Sequence, residues 1–149
     1  MKLKINSEKF IQGYQRMQIS FFFYNGHTTK KGRLNLANGE AYDFNYLFQK
    51  YGKIGARQLY IFDTCHSGYF SSSSIVPRTA TILSSVEAKD AKSERLYMGQ
   101  KLVEYLRENP HKVEFNREFE LRFREKAYAQ KPGFHPANTT FYMSSVMHL

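Results

Sequence analysis

The sequence predicts an α/β fold: a mostly parallel sheet with helices on both faces. Two short, almost wholly apolar runs, residues 19–24 and 58–62, read as strands buried on both sides. Between them Phe44, Leu47, Phe48 and Tyr51 recur at i, i+3, i+4 and i+7, which is one apolar stripe of a helix. Strand, helix, strand in that order makes a βαβ unit, so the two strands run parallel with a right-handed crossover.

Chain length and composition fit one domain over residues 1–149. Its 149 residues can bury a real core, and 42% hydrophobic with 16% aromatic residues gives enough apolar surface to offset chain entropy, which excludes a disordered chain. No run approaches the roughly 20 apolar residues that span a bilayer, and the opening residues lack the apolar core of a secretory signal, so no membrane association and a cytoplasmic location are expected. A single cysteine cannot form an internal disulfide, which suits a reducing compartment and leaves one thiol to be explained by packing or by reactivity. The net charge of +9 attracts anions. The cations are interleaved with acids along the chain, so a solvated surface is the simpler expectation, and nucleic-acid binding rests on charge alone.

The elements follow in order. Residues 7–17 begin at a capping serine and set Phe10, Ile11, Tyr14 and Met17 at helical spacing. The strand of residues 19–24 is closed by Asn25-Gly26, read as a turn. Residues 33–36 alternate apolar and polar and end at Asn38-Gly39, the strongest hairpin dipeptide, so a small ribbon is expected there. Asp43 caps the helix of residues 44–51, and Gly52 stops it. After the strand of residues 58–62, a third strand is expected over residues 79–84, reached through the serine run 71–74. A helix over residues 94–107 should turn Leu96, Leu102, Val103 and Leu106 inward, and another over residues 117–128 should turn Phe119 and Phe123 inward. Residues 139–143 read as a last strand.

In parallel α/β sheets reactive groups collect beyond the carboxyl ends of the strands, where loops converge on a crevice. His27 follows the first buried strand and Cys65 the second, so adjacent strands would present an imidazole and a thiol at one edge. Thiolate is the attacking species, and an imidazole beside it can hold the thiolate and later protonate a leaving amine. Gly68 would let the chain turn sharply and aim the Cys65 N–H at a developing oxyanion. Alone, a cysteine is by default a small buried hydrophobe and a histidine beside Asn-Gly a surface residue. Their joint position at two strand ends, within the polar run Asp-Thr-Cys-His-Ser-Gly, argues for chemistry. His66 invites a metal reading with Cys65 and His27, but adjacent residues point apart and no further ligand stands at a suitable spacing.

The run from Phe23 to His27 (FYNGH) and the run from Tyr60 to Gly68 (YIFDTCHSG) together resemble the two-part signature of the caspase-like cysteine peptidases, closest to the metacaspase branch. The resemblance implies a three-layer α/β/α sandwich and extends more weakly through residues 81–90 and 99–107. It implies peptide-bond hydrolysis through an acyl-enzyme on Cys65, with His27 as acid and base and the Cys65 N–H in the oxyanion hole. Thr28 stands where the family has a glycine whose N–H joins that hole, and a β-branched residue resists positive φ. Asp63 matches the position lining the primary specificity pocket, so substrates with Arg or Lys before the scissile bond are implied. The alternative is a catalytically weakened domain of this type acting as a regulatory or binding module. The family's first strand and helix have at most a partial counterpart in residues 1–17, so the sheet is expected to be short at its N-terminal edge, completed by another chain or a further segment. Calcium dependence occurs in the metacaspases, but no clustered acidic loop marks a calcium site here, and no cofactor is expected. Pro77-Arg78, in a small polar loop, is a candidate for self-processing.

Overall fold

The computed structural model describes residues 20–51, 58–73, 75–77, 79–89, 91–109 and 117–135. The expected helix over residues 7–17, the stop at Gly52, Arg78 and the strand over residues 139–143 lie outside them. Six strands form one sheet in the order β3-β2-β1-β4-β5-β6: β1 (Ser20–Thr28), β2 (Arg33–Asn35), β3 (Ala41–Asp43), β4 (Gln58–Thr64), β5 (Ala80–Ser84) and β6 (Gly133–His135). The centre is parallel, β1 with β4 and β4 with β5, whereas β2, β3 and β6 join antiparallel. The sheet is therefore mixed, with a parallel core of three strands. Among the described residues, the edge of β1 away from β4 is paired only at His27 and Thr28, where β2 meets it.

Helices lie on both faces, and alternation along the central strands decides which side chain goes where. Tyr60, Phe62 and Ile82 point to one side, into a cluster with Phe44, Phe48 and Phe70. Helix α1 (Asn45–Tyr51) and the short helix α2 (Gly68–Ser71) cover that side. Leu59, Ile61 and Leu83 point to the other side, against Met98, Leu102, Tyr105 and Leu106 of α3 (Tyr97–Glu108) and Phe119 and Phe123 of α4 (Arg117–Lys126). Every residue of β4 is buried, as a strand sandwiched between two helical layers requires. Phe44 is fully buried with five aromatic rings centred 4.9–5.9 Å from its own, which makes it the hub of the first layer.

The ribbon forms as expected: Gly39, at φ +84°, donates its N–H to the Leu36 carbonyl at 3.0 Å, and Asp43 Oδ1 accepts the Asn45 N–H at 3.0 Å. Two expectations change. Asn25-Gly26 is not a turn, because β1 runs on to Thr28 and the chain reverses at Gly32, whose φ is +76°. Leu96 precedes α3 in a left-handed conformation and Val103 faces outward, at 38% and 40% exposure, while Met98 and Tyr105 take the inward positions. The strand β6 is only three residues long, too short to show any alternation in sequence. Among the described residues no helix is long and apolar enough to cross a membrane.

Candidate active site

The two central strands β1 and β4 stay in parallel register as far as Gly26 opposite Thr64. The next residue on each chain is His27 and Cys65. Parallel neighbours run about 4.8 Å apart, so both side chains arise at one edge of the sheet. A cleft of about 380 Å³ opens there, lined by Asn25, Gly26, His27, Asp63, Thr64, Cys65, Ser93, Glu94 and Arg95. The residues singled out in sequence as nucleophile, base and specificity carboxylate thus line one cleft. Thr28 does not line the cleft; it is buried, and its hydroxyl meets that of Thr64 at 2.8 Å.

His27 sits where β1 changes partner. Up to Gly26 the strand pairs with β4, and from His27 it pairs with β2, with His27 opposite Asn35. Tyr24 fixes that fork: its hydroxyl donates to the Asn35 carbonyl at 2.9 Å and lies 3.2 Å from the His27 carbonyl. Burial of that phenol pushes its pKa up, opposed by the bond to His27, so it stays a neutral donor. Gly26 is what allows the arrangement, since a Cβ there would stand 2.5 Å from the Tyr24 hydroxyl oxygen. The sequence offers Asn25-Gly26 as a turn signal, but the glycine serves close approach within a strand.

Cys65 follows β4 directly and is half-buried. Its Sγ accepts the Ser93 N–H at 3.2 Å and lies 3.5 Å from the Ser93 carbonyl. The sharp turn that exposes it is made by His66, at φ +60°, not by Gly68. His66 is held there by its N–H on the Ala91 carbonyl at 2.8 Å and by its Nδ1 3.0 Å from the Lys89 carbonyl. Gly68 is needed for space instead, because a Cβ would come within 2.2 Å of the Glu87 carbonyl oxygen. A non-glycine residue at positive φ is held against its own preference, and such strain gathers at functional turns.

Hydroxyls lock the strand ends beneath the cleft. Ser85 Oγ accepts the Thr64 N–H at 3.1 Å, donates to the Thr64 carbonyl at 2.8 Å, and lies 3.1 Å from Ser67 Oγ. Ser67 Oγ in turn accepts the Val86 N–H at 3.2 Å. With the Thr28–Thr64 contact, one buried network joins the ends of β1, β4 and β5 next to His27 and Cys65. Ser and Thr are common surface residues, so nothing in the sequence marks Thr64, Ser67 and Ser85, and Thr28 was singled out for its backbone rather than its hydroxyl.

Asp63 forms the floor. It is 2% exposed, its Oδ2 accepts the Gly99 N–H at 3.0 Å, its backbone carbonyl accepts a bond from Asn25 Nδ2, and its Oδ1 has no partner among the described residues. Burial raises its pKa above the usual carboxylate range, partly offset by the Gly99 bond. A buried carboxylate oxygen without a hydrogen bond costs free energy that a donor reaching it would recover. Compared with models of known protein families and with curated proteins, the chain matches none.

Proposed function

We propose that this protein is a cysteine endopeptidase of the caspase-like type that hydrolyses peptide bonds after Arg or Lys. The observation that supports it is one cleft lined by His27, Cys65 and buried Asp63 at the carboxyl ends of two parallel strands. The substrate's guanidinium or ammonium pairs with Asp63, which sets the following carbonyl against Cys65. The Cys65 thiolate attacks the carbonyl carbon, a C–S bond forms, and the Cys65 N–H receives the negative charge on oxygen. His27 gives its proton to the leaving nitrogen as the C–N bond breaks, then takes one from the water that hydrolyses the thioester. The layering of helices on both sides of the sheet suits the three-layer caspase-like sandwich, a lone thiol suits a cytoplasmic setting, and the chemistry needs no cofactor.

A second reading, a catalytically weakened domain that binds or regulates, is favoured by Thr28, which replaces the family's glycine and stays buried outside the cleft. Fluorogenic peptides ending in Arg, Lys or Asp separate the two. Turnover of the Arg and Lys peptides, abolished in Cys65→Ala and lowered about 100- to 10,000-fold in His27→Ala, is expected. Equal, near-zero turnover by the wild type and Cys65→Ala, with the Arg peptide still bound, would leave the binding module.

A further inference from the structure

On the α3 side of the sheet an apolar groove of about 570 Å³ runs between that helix and β1. Phe23 of β1 and Ile61 of β4 line it, together with Leu96, Leu102, Val103 and Leu106 on or beside α3. Leu96 and Val103 are the apolar side chains that the packing of this helix leaves outward, and both open onto the groove. Phe23 is half-buried in the same groove. The opposite face of β1 is filled, because Phe22 and Tyr24 pack there in the cluster of Phe44 and Phe48 under α1. The groove backs onto the catalytic cleft: Gly99 lines it, while the Gly99 N–H holds Asp63 Oδ2 at 3.0 Å.

We propose that residues 7–17 of this same chain, which lie outside the described residues, dock into this groove as a helix and cover Leu96 and Val103. Their stripe of Phe10, Ile11, Tyr14 and Met17 needs an apolar surface to lie on. So short a segment, with Gly13 inside it, does not hold a helix alone in water, so docking and helix formation go together. The tether fits this seat. Only Gln18 and Ile19 separate Met17 from Ser20, where β1 begins, and so short a connection lays the helix back along its own strand. From Met17 back to Phe10 the helix spans about 10 Å. About 10 Å along β1 from Ser20 is Phe23, so Phe10 comes level with the phenylalanine in the groove. A free partner of similar shape would compete with a segment tethered at an effective concentration on the order of millimolar.

The whole chain carrying Cys65→Ala, Phe10→Cys and Val103→Cys tests this. Under mild oxidation an intrachain disulfide should form about tenfold faster, or more, than with Tyr128→Cys in place of Val103→Cys, Tyr128 being an exposed residue past α4. A second arm needs no new cysteine. Val103 is 40% exposed, so an aspartate there costs little unless something covers it. In the otherwise native chain Phe10→Asp and Val103→Asp should each lower Tm by about 5–10 °C, and the double variant should lose no more than the larger single effect. Equal disulfide rates, with Tm unmoved by Val103→Asp, would overturn the docking. A disulfide joining two chains would assign the groove to a second copy and overturn it as well.

Discussion

Two buried carboxylates, Asp63 on β4 and Glu120 on α4, are nearly equally sheltered from solvent, at 2% and 4% exposure, yet their surroundings differ completely. Glu120 is closed off: Arg117 reaches it at 2.9 Å and Arg124 at 3.2 Å, both from its own helix, so its charge is answered where it stands. Asp63 has one backbone N–H and one open oxygen. The first serves the fold. The second carries a charge that one backbone N–H answers only in part, which makes it the carboxylate on which the proposed substrate contact rests.

The comparison breaks most easily at Asp63. Asp63→Asn keeps the shape and removes the charge, so kcat/KM for Arg peptides should fall about 100-fold or more, while the folded state gains about 1 kcal/mol from losing an unpaired buried charge. Steady-state kinetics with chemical denaturation reads both. Unchanged kinetics would show that the open oxygen is not a substrate contact. Glu120→Gln should do the opposite: a loss of about 1–2 kcal/mol in stability, because two guanidiniums lose their counter-charge, with kcat/KM within about twofold of wild type. A large kinetic effect there would erase the distinction.

A smaller effect tests the hydroxyl network. Thr28→Val keeps the β-branched shape and deletes the bond to Thr64; kcat should drop about tenfold with little change in KM, and Thr28→Ser should restore it. Loss in both variants, with unaltered stability, would mean that the bond does not set the spacing of His27 and Cys65. The smallest effect is in pH. Asp63 has a raised pKa in the folded protein, so the folded state holds its proton more tightly than the unfolded chain does. Stability therefore falls as pH rises from the ordinary carboxylate value through the raised one. The gap in melting temperature between wild type and Asp63→Asn should widen across that window, and a constant gap would refute the raised pKa. Binding of an Arg peptide should strengthen over the same window as Asp63 ionises.

Much of this was legible in sequence. Periodicity and apolar runs located the helices α1, α3 and α4 and the strands β1, β4 and β5, because residues such as Phe44, Phe48 and Ile61 are buried by the faces their spacing defines; the one-turn helix α2 was not foreseen. His27 and Cys65 could be picked out because polar groups right after apolar strands have few reasons to be there, whereas Asp63 was singled out only by the resemblance to the caspase-like signature. What escaped depends on approach in three dimensions. Gly26 looks like a turn residue until the Tyr24 ring lies against it, and Gly68 looks like a hinge until the Glu87 backbone does. The left-handed His66 and the Ser93 N–H on Cys65 join residues whose only common signal is their final position. Leu96 and Val103 were misjudged for a simpler reason: an apolar residue at the edge of a helical stripe can face water at little cost, and Met98 and Tyr105 filled the inward positions.

The fork in β1 has a consequence for how this scaffold can change. Because the strand surrenders one neighbour and takes up another at His27, the ribbon of β2 and β3 extends the sheet there, its base packed into the core through Leu34 and Tyr42 and its tip reaching outward. Its tip at Gly39 has no heavy atom near where a side chain would begin. Sequence inserted there lengthens the ribbon outward, leaving the register that brings His27 beside Cys65 as it was. The ribbon is thus the place where new recognition elements, tags or whole domains can be grafted beside the cleft, a modular port built into the same strand that carries the histidine.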